Sequence, residues 1–140
     1  MSHQWIDPTS CQSLVVLVET VTAPLLVQHA APVCMEVDID TNLGIPADPS
    51  QTASLVRTLV TQALTEMPDG GDLIITACET DRGIELEFAD NGCDVQERAQ
   101  NLPLVAAAIG ARLEWSNCPQ GGGAVTVTFR RGDVARRRAA

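Results

Sequence analysis

Asp90, Asn91 and Gly92 close the apolar run that ends at Phe88 and Ala89, and together they form a turn signal with Cys93 and Asp94 directly behind. A carboxylate at a strand end can accept backbone N–H groups from the turn that follows it. It can also face a cleft and accept a hydrogen bond from a ligand amine. The residue types allow both. A second candidate set lies upstream, where Gln51, Ser54, Thr58, Thr61, Gln62 and Thr65 recur at helical spacing. That stripe is polar yet uncharged. A solvated helix face more often carries Lys and Glu, so the stripe suits a cleft wall as well as open surface. The cysteines at 11, 34, 78, 93 and 118 read as small core or surface residues rather than nucleophiles, with Cys93 the one candidate reactive thiol, because it follows a glycine turn beside a candidate ligand carboxylate. No two cysteines form a CxxC pair and their number is odd, as expected of reduced thiols. His3 and His29 have no cysteine at ligand spacing, which argues against zinc.

The elements that must position these groups follow from periodicity. Residues 10–30 are mostly compatible with a helix, with Pro24 as a kink or break. In "VCMEVDI" Val33, Met35, Val37 and Ile39 alternate with Cys34, Glu36 and Asp38, the pattern of a half-buried strand. Asp48 is placed to cap a helix with Pro49 at its first position and Gln51 at the capping-box position. Leu55, Val56, Leu59, Val60, Ala63, Leu64 and Met67 give that helix, 49–67, a core face. "LIITACE" and "GIELEFAD" flank a turn as a hairpin. "NLPLVAAAIG" reads as a short helix ending at Gly110, and "ARLEWSN" and "AVTVTFRR" as a closing hairpin. The order is helix, strand, helix, two strands, helix, two strands. It predicts an α/β (α+β) chain folded as a two-layer sandwich, with helices on one face of a mixed, mostly antiparallel sheet. The expected divisions are an N-terminal segment 1–9, a domain 10–131 and a basic tail 132–140.

The chain has 140 residues, 45% of them apolar, enough for one sizeable core. Its 18 acidic residues outnumber 9 basic ones, all arginine, for a net charge of −9. Five arginines and Asp133 fall in 130–140, a local charge of +4, which leaves −13 for 1–129. Such a body repels nucleic acid, so DNA is not an expected partner. The tail reads as a solvated basic end, with an acidic partner or RNA as the alternative. No apolar run reaches the ~18 residues a membrane span needs. The N-terminus lacks a basic start followed by an apolar segment, so the expected location is the cytoplasm, away from the membrane.

Several segments, taken in order, resemble the ATP-binding domain of sensor histidine kinases, of the GHKL superfamily. "APVCMEVDIDTNLGIPADPSQTASLVRTLV" looks like the strand, loop and Asp-Pro helix start that lead into that family's N box. "QALTEMPDGGDLIITACE" matches its NAxKxTPxGG-then-strand pattern, and "IELEFADNG" its strand ending in D-x-G. "GARLEW" and "GGGAVTVTFR" match the closing hairpin, so the likeness runs from about residue 12 to 131. It implies the Bergerat-type fold and a nucleotide site at Asp90, Gly92, Gln62, Thr58 and Thr65. Asp90 sits where the family aspartate accepts the adenine amine. Gln62 holds the position of the asparagine that binds Mg²⁺, with its amide oxygen displaced by about 1.5 Å through one more methylene.

The departures are specific. The lysine that meets phosphate in the family is Thr65 here, and the chain contains no lysine. The second glycine of D-x-G-x-G is Asp94, and "NLPLV" resembles the tail of the second glycine box without its glycines or the lid before it. A triphosphate would therefore meet no lysine, a displaced metal ligand and an added carboxylate. Phosphoryl transfer rests on positioning and charge neutralisation. The resemblance thus implies a stand-alone domain with a degenerate site and no catalytic residue, a pseudokinase-like signalling or regulatory module that binds a protein partner. A histidine kinase or a response regulator is the natural partner by resemblance. Mg²⁺ with ATP or ADP would bind weakly or not at all. The alternative is an active ATP-binding kinase or ATPase of the same fold with a noncanonical site. "VQHAAP" lacks the acidic residue that follows a phosphoacceptor histidine, and the segment before Val33 is too short for a two-helix dimerisation hairpin. His29 therefore reads as an ordinary helix-end residue.

Overall fold

The computed structural model describes residues 13–98 and 103–130. The N-terminal segment 1–9 and the tail 132–140 lie outside the described residues. The chain runs α1 (Leu14–Gln28), β1 (Val33–Ile39), α2 (Pro49–Thr65), β2 (Gly71–Thr80), β3 (Gly83–Asp90), α3 (Leu104–Ala108), β4 (Ala111–Asn117) and β5 (Gly123–Arg130). The element order is the one the sequence predicts. One difference concerns Pro24, where α1 continues to Gln28 instead of breaking. Proline removes a single N–H from the ladder, and the end of this helix is tied down elsewhere. The His29 backbone N–H donates to the Leu26 carbonyl, and His29 Nε2 lies 2.8 Å from the Met67 carbonyl oxygen at the far end of α2. His29 thus joins two helix ends.

The five strands form one sheet in the order β1-β2-β3-β5-β4. β1 and β2 are parallel and connected through α2, as a parallel pair requires a crossover. The other three pairings are antiparallel. The helices cover one face. Alternation decides which side chains meet them: Leu73 and Ile75 on β2, Ile84, Leu86 and Phe88 on β3, and Val125, Val127 and Phe129 on β5 are buried. The opposite face carries Cys34, Glu36 and Asp38, all exposed, with Ile74 beside them. This is the two-layer α/β sandwich expected from the pattern.

α2 sets the geometry of everything that follows. Asp48 Oδ2 accepts the Gln51 backbone N–H at 2.9 Å, satisfying one of the orphan donors of the first turn, and Pro49 opens the helix. Leu55, Val56, Leu59, Val60, Ala63 and Leu64 are buried where α2 packs against α1 and the sheet. That packing fixes the rotation of α2 and aims Gln62, Thr65 and Glu66, in its last turn and C-cap, at the end of β3.

Candidate functional site

β3 ends at Asp90, which lies in register with Leu73 of β2. Beyond it the chain makes a short 3-10 turn, Val95–Glu97, and reaches Arg98. The end of α2, the ends of β3, β4 and β5, and this turn enclose a cavity of about 200 Å³. Leu59, Ala63, Phe88, Trp115 and Val125 supply its apolar wall; Gln62, Thr65, Glu66, Asp90 and Arg98 supply the polar groups. The volume is below the roughly 300–1,000 Å³ of ordinary small-molecule sites.

Asp90 is the centre of the site, and both oxygens of its carboxylate accept hydrogen bonds. Its Oδ1 accepts the Gly92 N–H at 2.9 Å and the Gly123 N–H at 3.3 Å. Arg98 then closes on it with both terminal nitrogens, Nη1 to Oδ2 at 2.8 Å and Nη2 to Oδ1 at 2.5 Å. The pair is nearly dry, with side-chain exposures of 12% for Arg98 and 3% for Asp90. Of the four donors, three converge on Oδ1 and one reaches Oδ2, so Oδ1 is saturated and Oδ2 is engaged by Nη1. The second edge of the guanidinium is also used, since Nε and Nη2 donate to the Cys93 carbonyl at 3.0 and 2.7 Å. The hydrogen bond to Asp90 holds the Arg98 pKa above its ordinary value, outweighing the opposing effect of burial. Both readings of Asp90 therefore hold a part of the geometry. It caps the turn through Gly92, and it is a buried carboxylate facing a cavity, but the group it holds is an arginine of its own chain.

Two glycines make room for this arrangement. A Cβ on Gly92 would lie 2.5 Å from the Glu66 carbonyl oxygen, and one on Gly123 would lie 2.8 Å from Arg98 Cζ. The turn is pinned independently of Arg98. Val95 is buried, its N–H donates to Asn117 Oδ1 at 2.7 Å, and Asn117 Nδ2 donates to Gln96 Oε1 at 3.0 Å.

The other expected site residues divide. Gln62 and Thr65 line the cavity with Asp90, whereas Gly92 is not part of its wall and donates its N–H to Asp90 Oδ1. Thr58 is half-buried further along α2, donates its hydroxyl to the Ser54 carbonyl at 3.0 Å and is not part of the cavity wall. Thr65 likewise donates to the Thr61 carbonyl, at 2.9 Å. Asp94 is exposed. Cys93 is not set up as a reactive thiol, the alternative to an ordinary cysteine. Its Sγ donates to Glu66 Oε1 at 3.1 Å, and that hydrogen bond raises its pKa, with desolvation and the Glu66 charge adding to the effect. The thiolate is thereby disfavoured.

A magnesium ion takes six oxygens in near-octahedral geometry. Around Gln62 the cavity offers one amide oxygen and Glu66, a carboxylate already accepting the Cys93 thiol. Among the described residues no cluster of three or more His, Cys, Asp or Glu side chains could hold a metal. The protein oxygens here are too few to hold the ion without the phosphates of a nucleotide and water.

Sequence reasoning missed Arg98. Four arginines precede Arg130, and Arg57, Arg82 and Arg112 are exposed. The available signal was an arginine eight residues after a strand-end aspartate, with a turn between them.

No protein-family model and no curated protein sequence matches the chain. Solved structures do. A mycobacterial sensor histidine kinase, MprB, superposes with a TM-score of 0.69 at 17% identity, over 84% of this chain and 94% of that one. The catalytic domain of histidine kinase ThkA gives 0.67 at 16%, over 85% and 94%. The cytoplasmic segment of histidine kinase QseC gives 0.61 at 21%, over 84% and 70%. The chain has the histidine-kinase catalytic-domain fold. Within this GHKL-type fold, the cavity beside Asp90 lies where the end of β3 meets the end of α2. Among the described residues no helix is long and apolar enough to cross a membrane.

Proposed function

We propose that this chain is a signalling or regulatory module that binds a protein partner, built on a histidine-kinase-type fold whose nucleotide site is degenerate. The observation that carries this reading is the Arg98–Asp90 pair. By resemblance Asp90 is the acceptor for an adenine amine, and here both its oxygens are held by Arg98, with Oδ1 also accepting the Gly92 and Gly123 N–H groups. Arg98 is the one cation among the described residues lining the cavity, and it is spent on Asp90 rather than left to meet phosphate. Gln62, Thr65 and Asp94 stand where the resemblance implies a metal-binding asparagine, a phosphate-binding lysine and a glycine. Asp94 adds negative charge where, by resemblance, a triphosphate would need the opposite. Protein partners of the two-component type, a histidine kinase or a response regulator, suit this fold by resemblance.

Titration calorimetry with Mg·ATP tests the reading. The expected affinity is weaker than about 1 mM, or about −4.1 kcal/mol. Micromolar binding accompanied by phosphate release would overturn it and establish an ATP-using enzyme. Titration with a purified histidine kinase and with its response regulator, both from the same cell, tests the partner. Saturable binding to one of them supports the reading, and binding to neither removes the two-component assignment.

A further inference from the structure

We propose that the slot between the Asp90 carboxylate and the Cys93 carbonyl, at the edge of the cavity, is a binding site for a planar guanidinium or amidinium cation, occupied in cis by Arg98. The inference rests on the reading of the nucleotide site as degenerate and goes on to say which chemistry has taken its place. Three features make the site a receptor rather than an incidental ion pair. First, the two edges of the Arg98 guanidinium meet different acceptors. The Asp90 carboxylate takes Nη1 and Nη2, and the Cys93 carbonyl takes Nε and Nη2. An ammonium group is a point donor without that planar fork. A purine amine has a single nitrogen and could copy only Nη2, which bridges Asp90 Oδ1 and the Cys93 carbonyl; it would leave Asp90 Oδ2 without the donor that Nη1 supplies.

Second, the acceptors are positioned without help from Arg98. The Gly92 and Gly123 N–H groups hold Asp90 Oδ1, and the turn carrying the Cys93 carbonyl is anchored by Asn117 and by buried Val95. Withdrawing the Arg98 side chain therefore leaves the carboxylate and the carbonyl facing each other across an empty slot. Third, the walls match a flat cation. Gly123 has no Cβ to fill the space 2.8 Å from Cζ, and Trp115 and Val95 line the same cavity.

The test is rescue of Arg98→Ala by methylguanidinium, followed by thermal unfolding and by calorimetry, with sodium chloride and methylammonium as controls at equal ionic strength. The expected result is one-to-one millimolar binding to Arg98→Ala and a higher melting temperature. The affinity should exceed that of the wild-type protein at least tenfold and be lost in the Asp90→Asn/Arg98→Ala double variant. Arg98→Lys, which keeps the charge without the fork, serves if Arg98→Ala does not fold, and methylguanidinium should stabilise it in the same Asp90-dependent way. An equal response from wild type and variant, an equal response from the double variant, or rescue by methylammonium to the same degree would overturn the proposal. Adenosine is titrated in parallel. Asp90-dependent adenosine binding to Arg98→Ala without methylguanidinium binding would overturn the guanidinium assignment. It would leave the degenerate reading intact, because that reading fails only if the wild-type protein binds Mg·ATP.

Discussion

Asp90 shows how a single side chain can be legible in type and illegible in partner. Its place at the end of an apolar run, before Asn91 and Gly92, announces a turn cap, and the Gly92 N–H at 2.9 Å is that cap. Arg98 lies past an irregular turn with no periodicity to fix its direction, so nothing local in the sequence joins the two. The energetic expectation follows from burial. Asp90→Ala strands a guanidinium that is 12% exposed, and losing one partner of a buried pair typically costs about 3–5 kcal/mol. Urea unfolding should show a loss of that size, and a loss below ~1 kcal/mol would mean water relieves Arg98. Cys93 carries a second prediction. Its raised pKa means the folded state holds the thiol proton more tightly than the unfolded chain. The stability linked to it is present below the ordinary thiol range and is lost as pH rises through the folded value. Alkylation at about pH 8.5, the usual thiol pKa, should therefore be slower at Cys93 than in the unfolded chain, and Glu66→Ala should speed it. Unchanged kinetics in Glu66→Ala would show that the 3.1 Å contact does not govern the thiol.

At the scale of elements the sequence is far more explicit, because each helix and strand states its burial many times over. α2 repeats its apolar spacing through Leu55, Leu59 and Ala63, all buried, and names its own start with Asp48 and Pro49. The hairpins are marked by alternation and by glycine turns. Of the two expectations at Pro24, kink or break, the break does not occur: proline weakens a helix locally, while the bond from His29 to Met67 secures the helix end from outside it. The polar stripe of α2 proved half informative. Gln62 and Thr65 face the cavity, whereas Thr58 folds its hydroxyl back onto the Ser54 carbonyl. Leu59 is 1% exposed and belongs to both the core and the cavity wall. Leu59→Ala should cost about 2–5 kcal/mol, as buried leucine truncations do, measured as a lower urea midpoint with an unchanged slope. A cost near zero would contradict the packing of α2 on the sheet.

For the whole molecule the governing quantity is charge. Residues 1–129 carry −13 and residues 130–140 carry +4, for a total of −9. The helix-free sheet face concentrates part of the negative charge, with Glu36, Asp38 and Asp72 all exposed. Like charges at this density work against the compact state, and salt screens them, with a Debye length of about 30 Å at 0.01 M falling to about 3 Å at 1 M. The buried Arg98–Asp90 pair is sheltered from that screening, so added salt relieves repulsion without weakening the main attractive pair. The melting temperature should therefore rise by several degrees across that range. Truncation after Arg130 removes four arginines and Asp133, a charge of +3, and takes the net charge from −9 to −12. If the tail is a solvated end, the truncated protein should melt at the same temperature as the full chain in high salt. At low salt it should melt slightly lower, so its salt dependence should be steeper. A full-length protein that loses stability as salt is added, while the truncated form gains it, would show instead that the arginines of the tail neutralise the acidic body, and the tail would then count as part of the domain.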